Sequence, residues 1–112
     1  MNLVYMQQQV EGLVLLRLIR LQQMTIAKVA QLTGKKIHEI TSITSGSVKA
    51  TRPRINSILK AIRLPEGHFK VLVNQIIAAL EQRSVVIQNK PTDSDYCHLN
   101  AMVKDIFAKL IL

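Results

Sequence analysis

The chain has 112 residues, is 48% hydrophobic, and holds only four Gly and three Pro, which excludes a disordered or collagen-like polymer and fits one domain, at most with an appended element. Aromatic residues make up 4% and Trp is absent, so the core must be built from Leu, Ile, Val and Met; the single Cys97 excludes an internal disulfide and any all-cysteine zinc site. Fifteen Lys and Arg against seven Asp and Glu leave a formal charge of +8, which directs attention to polyanionic partners.

Hydrophobic spacing predicts helices through almost the whole chain. The first covers about residues 7–22 and is apolar on more than one stripe (Val10, Leu13, Val14, Leu16, Leu18, Ile19, Leu21), so it needs cover on two sides. Thr25 is placed to N-cap a second helix with Ile26, Val29, Ala30 and Thr33 on its inner face, and Gly34 ends it. A third helix, about Lys36–Thr44, turns Ile37, Ile40 and Ile43 inward or partly inward and stops near Gly46. Pro53 suits the first turn of a fourth helix carrying Ile55, Ile58, Leu59 and Ile62, closed by Leu64-Pro65-Glu66-Gly67. Phe69, Leu72, Val73, Ile76, Ile77 and Leu80 mark a fifth. Ser84–Gln88 is β-branched and reads equally as a short strand or a buried connector. Residues 89–95 (NKPTDSD) have linker composition, and beyond them Leu99, Met102, Val103, Ile106, Phe107, Leu110 and Ile111 form the stripe of a terminal amphipathic helix.

The basic charge is confined to part of the chain. Residues 17–70 hold eleven Lys and Arg against Glu39 and Glu66, whereas residues 71–112 hold four bases and four acids and are neutral. This asymmetry suggests a polyanion-facing module joined to a segment with another task. No apolar run in the first part of the chain is long enough for a bilayer, since Leu13–Leu16 is interrupted by Arg17 and Arg20. The first sixteen residues have no Lys or Arg to begin a signal peptide, so a cytoplasmic protein with no membrane association is expected. His38, His68 and His98 lack the spacing of a helical metal pair, Cys97 and His98 are neighbours that point apart on a helix, and no Gly-rich phosphate loop follows a strand. The expectation is therefore no enzyme, no catalytic residue, no metal and no cofactor.

The informative segment is residues 25–46, TIAKVAQLTGKKIHEITSITSG. A helix-turn-helix needs a small residue where its second helix crosses the first, a Gly at the turn, and two aliphatics three apart on the second helix. Ala30, Gly34, Ile40 and Ile43 occupy those places. On these residues, about 13–67 resemble the Cro/repressor-like (XRE) helix-turn-helix family. The resemblance implies an all-α, lambda-repressor-like bundle, with residues 1–67 as the DNA-binding domain and 68–112 as a C-terminal helical dimerisation region. It further implies a bacterial or phage-encoded, sequence-specific double-stranded DNA-binding transcriptional regulator. Such a regulator would be a repressor of phage, plasmid or mobile-element type, acting as a homodimer on a palindromic operator. The alternative is an antitoxin or other interaction module of the same fold that binds a protein partner. Three positions depart from the family pattern. Ile26 stands where Gln is common, Thr33 stands where a larger aliphatic is usual, and Thr44 stands where a Glu often pairs with an Arg near Arg20.

Candidate base contacts are Lys36, His38, Thr41 and Ser42 on the third helix, because Lys donates to guanine O6 and N7, while hydroxyls serve several bases and the Thr methyl can meet thymine. Ile37 is either core or a methyl contact. Candidate phosphate contacts are Lys35, Lys49, Arg52 and Arg54, which flank that helix. The terminal stripe Leu99, Met102, Val103, Ile106, Phe107 and Leu110 is expected at a dimer interface shared with the fifth helix and part of the first. Folding back onto the first helix of the same chain is the competing arrangement.

Overall fold

The computed structural model describes residues 3–48, 51–88 and 96–111. Among them the chain forms β1 (Leu3–Met6), α1 (Gln7–Leu21), α2 (Ile26–Thr33), α3 (Ile37–Thr44), α4 (Arg52–Ala61), α5 (Glu66–Gln82), β2 (Val85–Gln88) and α6 (Tyr96–Ile111). Five helices fall within a residue or two of the periodicity reading, and the stop signals act where expected. Thr25 Oγ1 accepts from the Lys28 N–H at 3.1 Å, which satisfies one of the orphan donors of α2. Gly34 ends α2 in the left-handed region at φ 71°, and the N–H groups of Gly34 and Lys35 return to the Gln31 and Ala30 carbonyls in a Schellman closure. Pro53 sits in the first turn of α4.

The all-α expectation is corrected by one small element. Ser84–Gln88 resolves as strand β2 over Val85–Gln88, which pairs in parallel with β1, Leu3 opposite Val85 and Met6 opposite Gln88. Parallel strands need a long crossover, and here the crossover is the whole α1–α5 bundle. Tyr5 and Val85 anchor the pair in the core.

Helix α1 is the axis of the molecule. Val10, Leu13, Val14, Leu15, Leu18 and Ile19 are all buried, because α3, α5, α6 and β1 all pack around it. The closest approach is at Gly12, where an added Cβ would collide with the Ile43 carbonyl oxygen, so only a residue without a side chain lets α3 seat on α1. Gly46, just past α3, lies against the Gln9 backbone in the same way, and Gln8 Nε2 donates to its carbonyl at 3.0 Å.

The terminal stripe corrects the expected interface. Leu99, Val103, Ile106 and Phe107 are buried within the same chain, in one core cluster that also contains Leu13, Ile40, Ile58 and Leu80, and Met102 packs half-buried against it. Helix α6 lies on α1 and α5. These five side chains pack into the chain's own core, the competing arrangement; of the six expected at the interface, only Leu110 is exposed. The physical reason is proximity. The over-apolar α1 offers an uncovered face within the same chain, and burying each stripe residue there is worth about 1.5–3 kcal/mol with no loss of translational freedom. Residue 67, the expected division, falls in the first turn of α5, and one hydrophobic cluster spans both sides of it. Arg83 Nη2, just past α5, stands 2.9 Å from Asp105 Oδ2 and ties that end to α6, while Lys109 Nζ meets the same oxygen at 3.3 Å within α6.

Candidate nucleic-acid interface

Helices α2 and α3 pack against each other. Ala30 is buried beneath the crossing, Gly34 makes the turn, and Ile40 and Ile43 hold α3 against the bundle. Thr44, at the position where an ion-pair Glu is common in the resembled family, is buried and satisfied locally, its Oγ1 donating to the Ile40 carbonyl at 2.9 Å. Arg20 is exposed, so no buried ion pair links these two positions.

With one face of α3 fixed inward, the opposite face is left outside. An open groove of about 810 Å³ runs between α2 and α3, lined by Lys35, Lys36, Ile37, His38, Thr41 and Ser42 from one side and by Ala27, Ala30 and Gln31 from the other. All four expected base-contact residues therefore lie in one groove, together with Lys35. Lys36 is the exposed N-cap of α3, and His38 follows it one turn below Thr41 and Ser42. The Thr41 hydroxyl donates to the Ile37 carbonyl at 3.0 Å, so its proton is engaged within the helix and its oxygen keeps acceptor capacity. No carboxylate lines the groove, since Glu39 points elsewhere on the helix.

The other expected phosphate contacts do not join it. Arg52 Nε donates to Glu66 Oε1 at 2.9 Å, and Lys70 stands 3.6 Å from the same oxygen. The Arg52 hydrogen bond, supported by Lys70, holds the Glu66 carboxyl below its ordinary pKa. That trio lies on a different hollow, between α1, α4 and α5. Arg54 is half-buried on α4 and does not line the α2–α3 groove, and Lys49 lies outside the described residues.

Ile37 is 57% exposed and so is not core, and it lines the groove, the other of its two expected places. Gln31 also faces the groove from α2, four residues beyond Ala27 on the same helix face, and that spacing was available in the sequence. On the other flank of α2 a second hollow of about 800 Å³ carries Lys28, Lys60 and Arg63 with no carboxylate. Lys60 lies in the last turn of α4 and Arg63 just beyond it, near the negative end of that helix, whereas Lys28 stands in the first turn of α2.

Lys36 and His38 lie at the N-terminus of α3, the positive end of its dipole, where Glu39 supplies the favoured carboxylate in the first turn and the Lys36 ammonium gains nothing from the helix. The Lys35 and Lys36 side chains add to the positive end of the α3 dipole there, against the single opposing charge of Glu39. Among the described residues no helix is long and apolar enough to cross a membrane, and no cluster of His, Cys, Asp and Glu could hold a metal ion. No family model, curated protein or solved structure matches the chain.

Proposed function

We propose that the chain is a sequence-specific double-stranded DNA-binding transcriptional regulator of the Cro/repressor-like type. It acts as a repressor and homodimer in the cytoplasm of a bacterium, encoded by the host or by a phage or other mobile element. The observation that carries this reading is the α2–α3 groove, whose lining gathers Lys35, Lys36 and His38 at the N-terminal end of an outward-facing helix and holds no carboxylate, Glu39 of the same first turn lying outside it. An exposed helix of this kind fits the major groove, which admits an α-helix and displays base edges to it. Lys36, His38, Thr41 and Ser42 then meet base edges, Gln31 is suited to adenine or a backbone phosphate, and Ile37 offers an apolar contact to a thymine methyl. Lys35 takes a phosphate. Arg52, held by Glu66, is assigned to the fold rather than to DNA.

The test is selection of bound duplexes from a random pool, followed by affinity measurement across a salt series. Lys36→Ala is expected to weaken the selected site by about 1–3 kcal/mol and to relax base preference. Arg52→Ala is expected to leave both the affinity and the salt slope close to the parent values, whereas Lys35→Ala flattens the slope by about one. Failure to enrich any sequence, or an affinity indifferent to salt, overturns the proposal and turns the groove into a surface for a protein partner.

A further inference from the structure

The flank of α2 away from the α2–α3 groove carries the hollow of about 800 Å³ bounded by the end of α1, by α2 and by the C-terminal half of α4. Lys28, Lys60 and Arg63 line it, and all three are exposed. Elsewhere cations are matched, Arg52 and Lys70 by Glu66, Arg83 and Lys109 by Asp105. Among the described residues no ion pair or side-chain hydrogen bond engages Lys28, Lys60 or Arg63. The sequence has no Asp or Glu between Glu11 and Glu39, nor between Glu39 and Glu66, so α2, α4 and the turns that follow α1 and α4 hold no carboxylate. Helix stability accounts for Lys60 and Arg63 near the negative end of α4, but not for Lys28 in the first turn of α2. Apolar side chains share the lining: Met24, Ala61 and Leu32, the last 50% exposed. Two hydroxyls complete it. Thr33 Oγ1 donates to the Val29 carbonyl at 2.8 Å and Ser57 Oγ to the Pro53 carbonyl at 2.9 Å, so each proton is engaged within its own helix and acceptor capacity remains.

We infer that this hollow receives an acidic segment of a partner protein, a peptide in which Asp and Glu flank a large apolar side chain. Charge complementarity sets the acids, which meet three cations that the chain itself leaves unpaired. Leu32 and Met24 set the apolar anchor, because an exposed Leu gains from burial only against another apolar group. The hydroxyl acceptors favour a peptide over a nucleic-acid backbone, since peptide N–H groups donate and phosphodiesters have no donor to offer. The hollow and the α2–α3 groove share no residue, so occupancy of one does not use the contacts of the other. The inference therefore does not depend on the DNA reading.

The test is fluorescence anisotropy of the full chain, without DNA, against a labelled synthetic peptide of about twelve residues in which Leu and Phe are set among Asp and Glu. Binding is expected in the micromolar range at low salt, weakening as salt rises. Polyglutamate of the same length, charged but without the apolar anchor, is expected to bind about tenfold more weakly or worse. Lys28→Gln with Lys60→Gln, both at exposed helical positions that Gln suits, is expected to keep the far-ultraviolet circular dichroism and to raise the dissociation constant about tenfold. Arg63 holds a left-handed φ of 60°, which Gly accepts freely, so Arg63→Gly keeps the fold and is expected to weaken the peptide about threefold. Leu32→Ala should weaken it without altering the salt slope, and Lys36→Ala, in the other groove, should leave it unchanged. A peptide that does not bind overturns the inference, as does polyglutamate binding equally well or Lys36→Ala costing as much as the Lys28 and Lys60 pair. A loss in that pair confined to duplex DNA assigns the hollow to nucleic acid and overturns it too. Peptide binding without duplex binding upholds this inference and overturns the DNA reading alone.

Discussion

Helices α3 and α6 both carry apolar residues at helical spacing, yet the structure uses them in opposite ways. Helix α3 has eight residues, and only Ile40, Ile43 and Thr44 are buried, so its polar and basic face is left as the working surface. Helix α6 has sixteen residues, and its stripe is absorbed by α1 and α5. A stripe at helical spacing states that a face must be covered. It does not state whether the cover comes from the same chain or from another. What distinguishes a working face is the residue set on the exposed side, and whether helix stability explains it. Lys60 in the last turn of α4 is explained that way, and Lys36 at the N-terminus of α3 is not.

The largest expected effect tests the α6 side of this contrast. Ile106 is 4% exposed in the chain's own core, so Ile106→Asp is expected to unfold the whole domain rather than to release folded monomers. Even Ile106→Ala should cost about 2–5 kcal/mol in urea denaturation, and the Asp adds the cost of an unpaired buried charge. A well-folded Ile106→Asp monomer would restore the stripe to an intersubunit role.

Next in size is the seat of α3. Gly12→Val pushes a side chain into the Ile43 carbonyl and the turn at Gly46, and should cost about 3 kcal/mol, the upper end of overpacking penalties. Duplex affinity should fall along with stability, because the same contact sets the angle at which α3 leaves the bundle. A smaller effect is expected from Thr25→Ala, which removes the cap of α2 and should lower stability by about 1 kcal/mol, read as a shift in the urea midpoint at constant slope.

The smallest effect is an acid-side loss of stability. The Arg83 and Lys109 side chains hold the Asp105 carboxyl below its ordinary pKa, and Arg52 with Lys70 does the same for Glu66. A carboxylate with a depressed folded-state pKa stabilises the fold above its unfolded value and loses that contribution as pH falls through the folded value. The loss therefore belongs below the ordinary carboxylate range, with little change between pH 5 and 8 from these two groups. Both pairs are solvent-exposed, so the effect is small and shrinks further in high salt. Asp105→Asn should remove its share of the acid limb while leaving the neutral-pH melting curve nearly unchanged.

The local signals in the sequence were sufficient for the helices and for the groove. Thr25, Gly34 and Pro53 act within one turn of their own positions, and Ala30, Ile40 and Ile43 define which side of α3 faces inward, so Lys36, His38, Thr41 and Ser42 follow as the outer side. Everything that depended on distant parts of the chain was decided by tertiary structure. The β1–β2 pair joins strands of four residues from opposite ends of the bundle, too short to carry a period of their own. Arg52 and Glu66, the first residues of α4 and α5, meet only because the fold brings the starts of those two helices together, and that pairing engages Arg52 away from α3. Gly12 appears in the sequence as a weak point in an apolar helix, and only the crossing of α3 shows why no side chain fits there. The destination of the α6 stripe was decided in the same way. Hydrophobic periodicity is a property of one helix, whereas burial is a property of two surfaces, and the second surface was the uncovered side of α1.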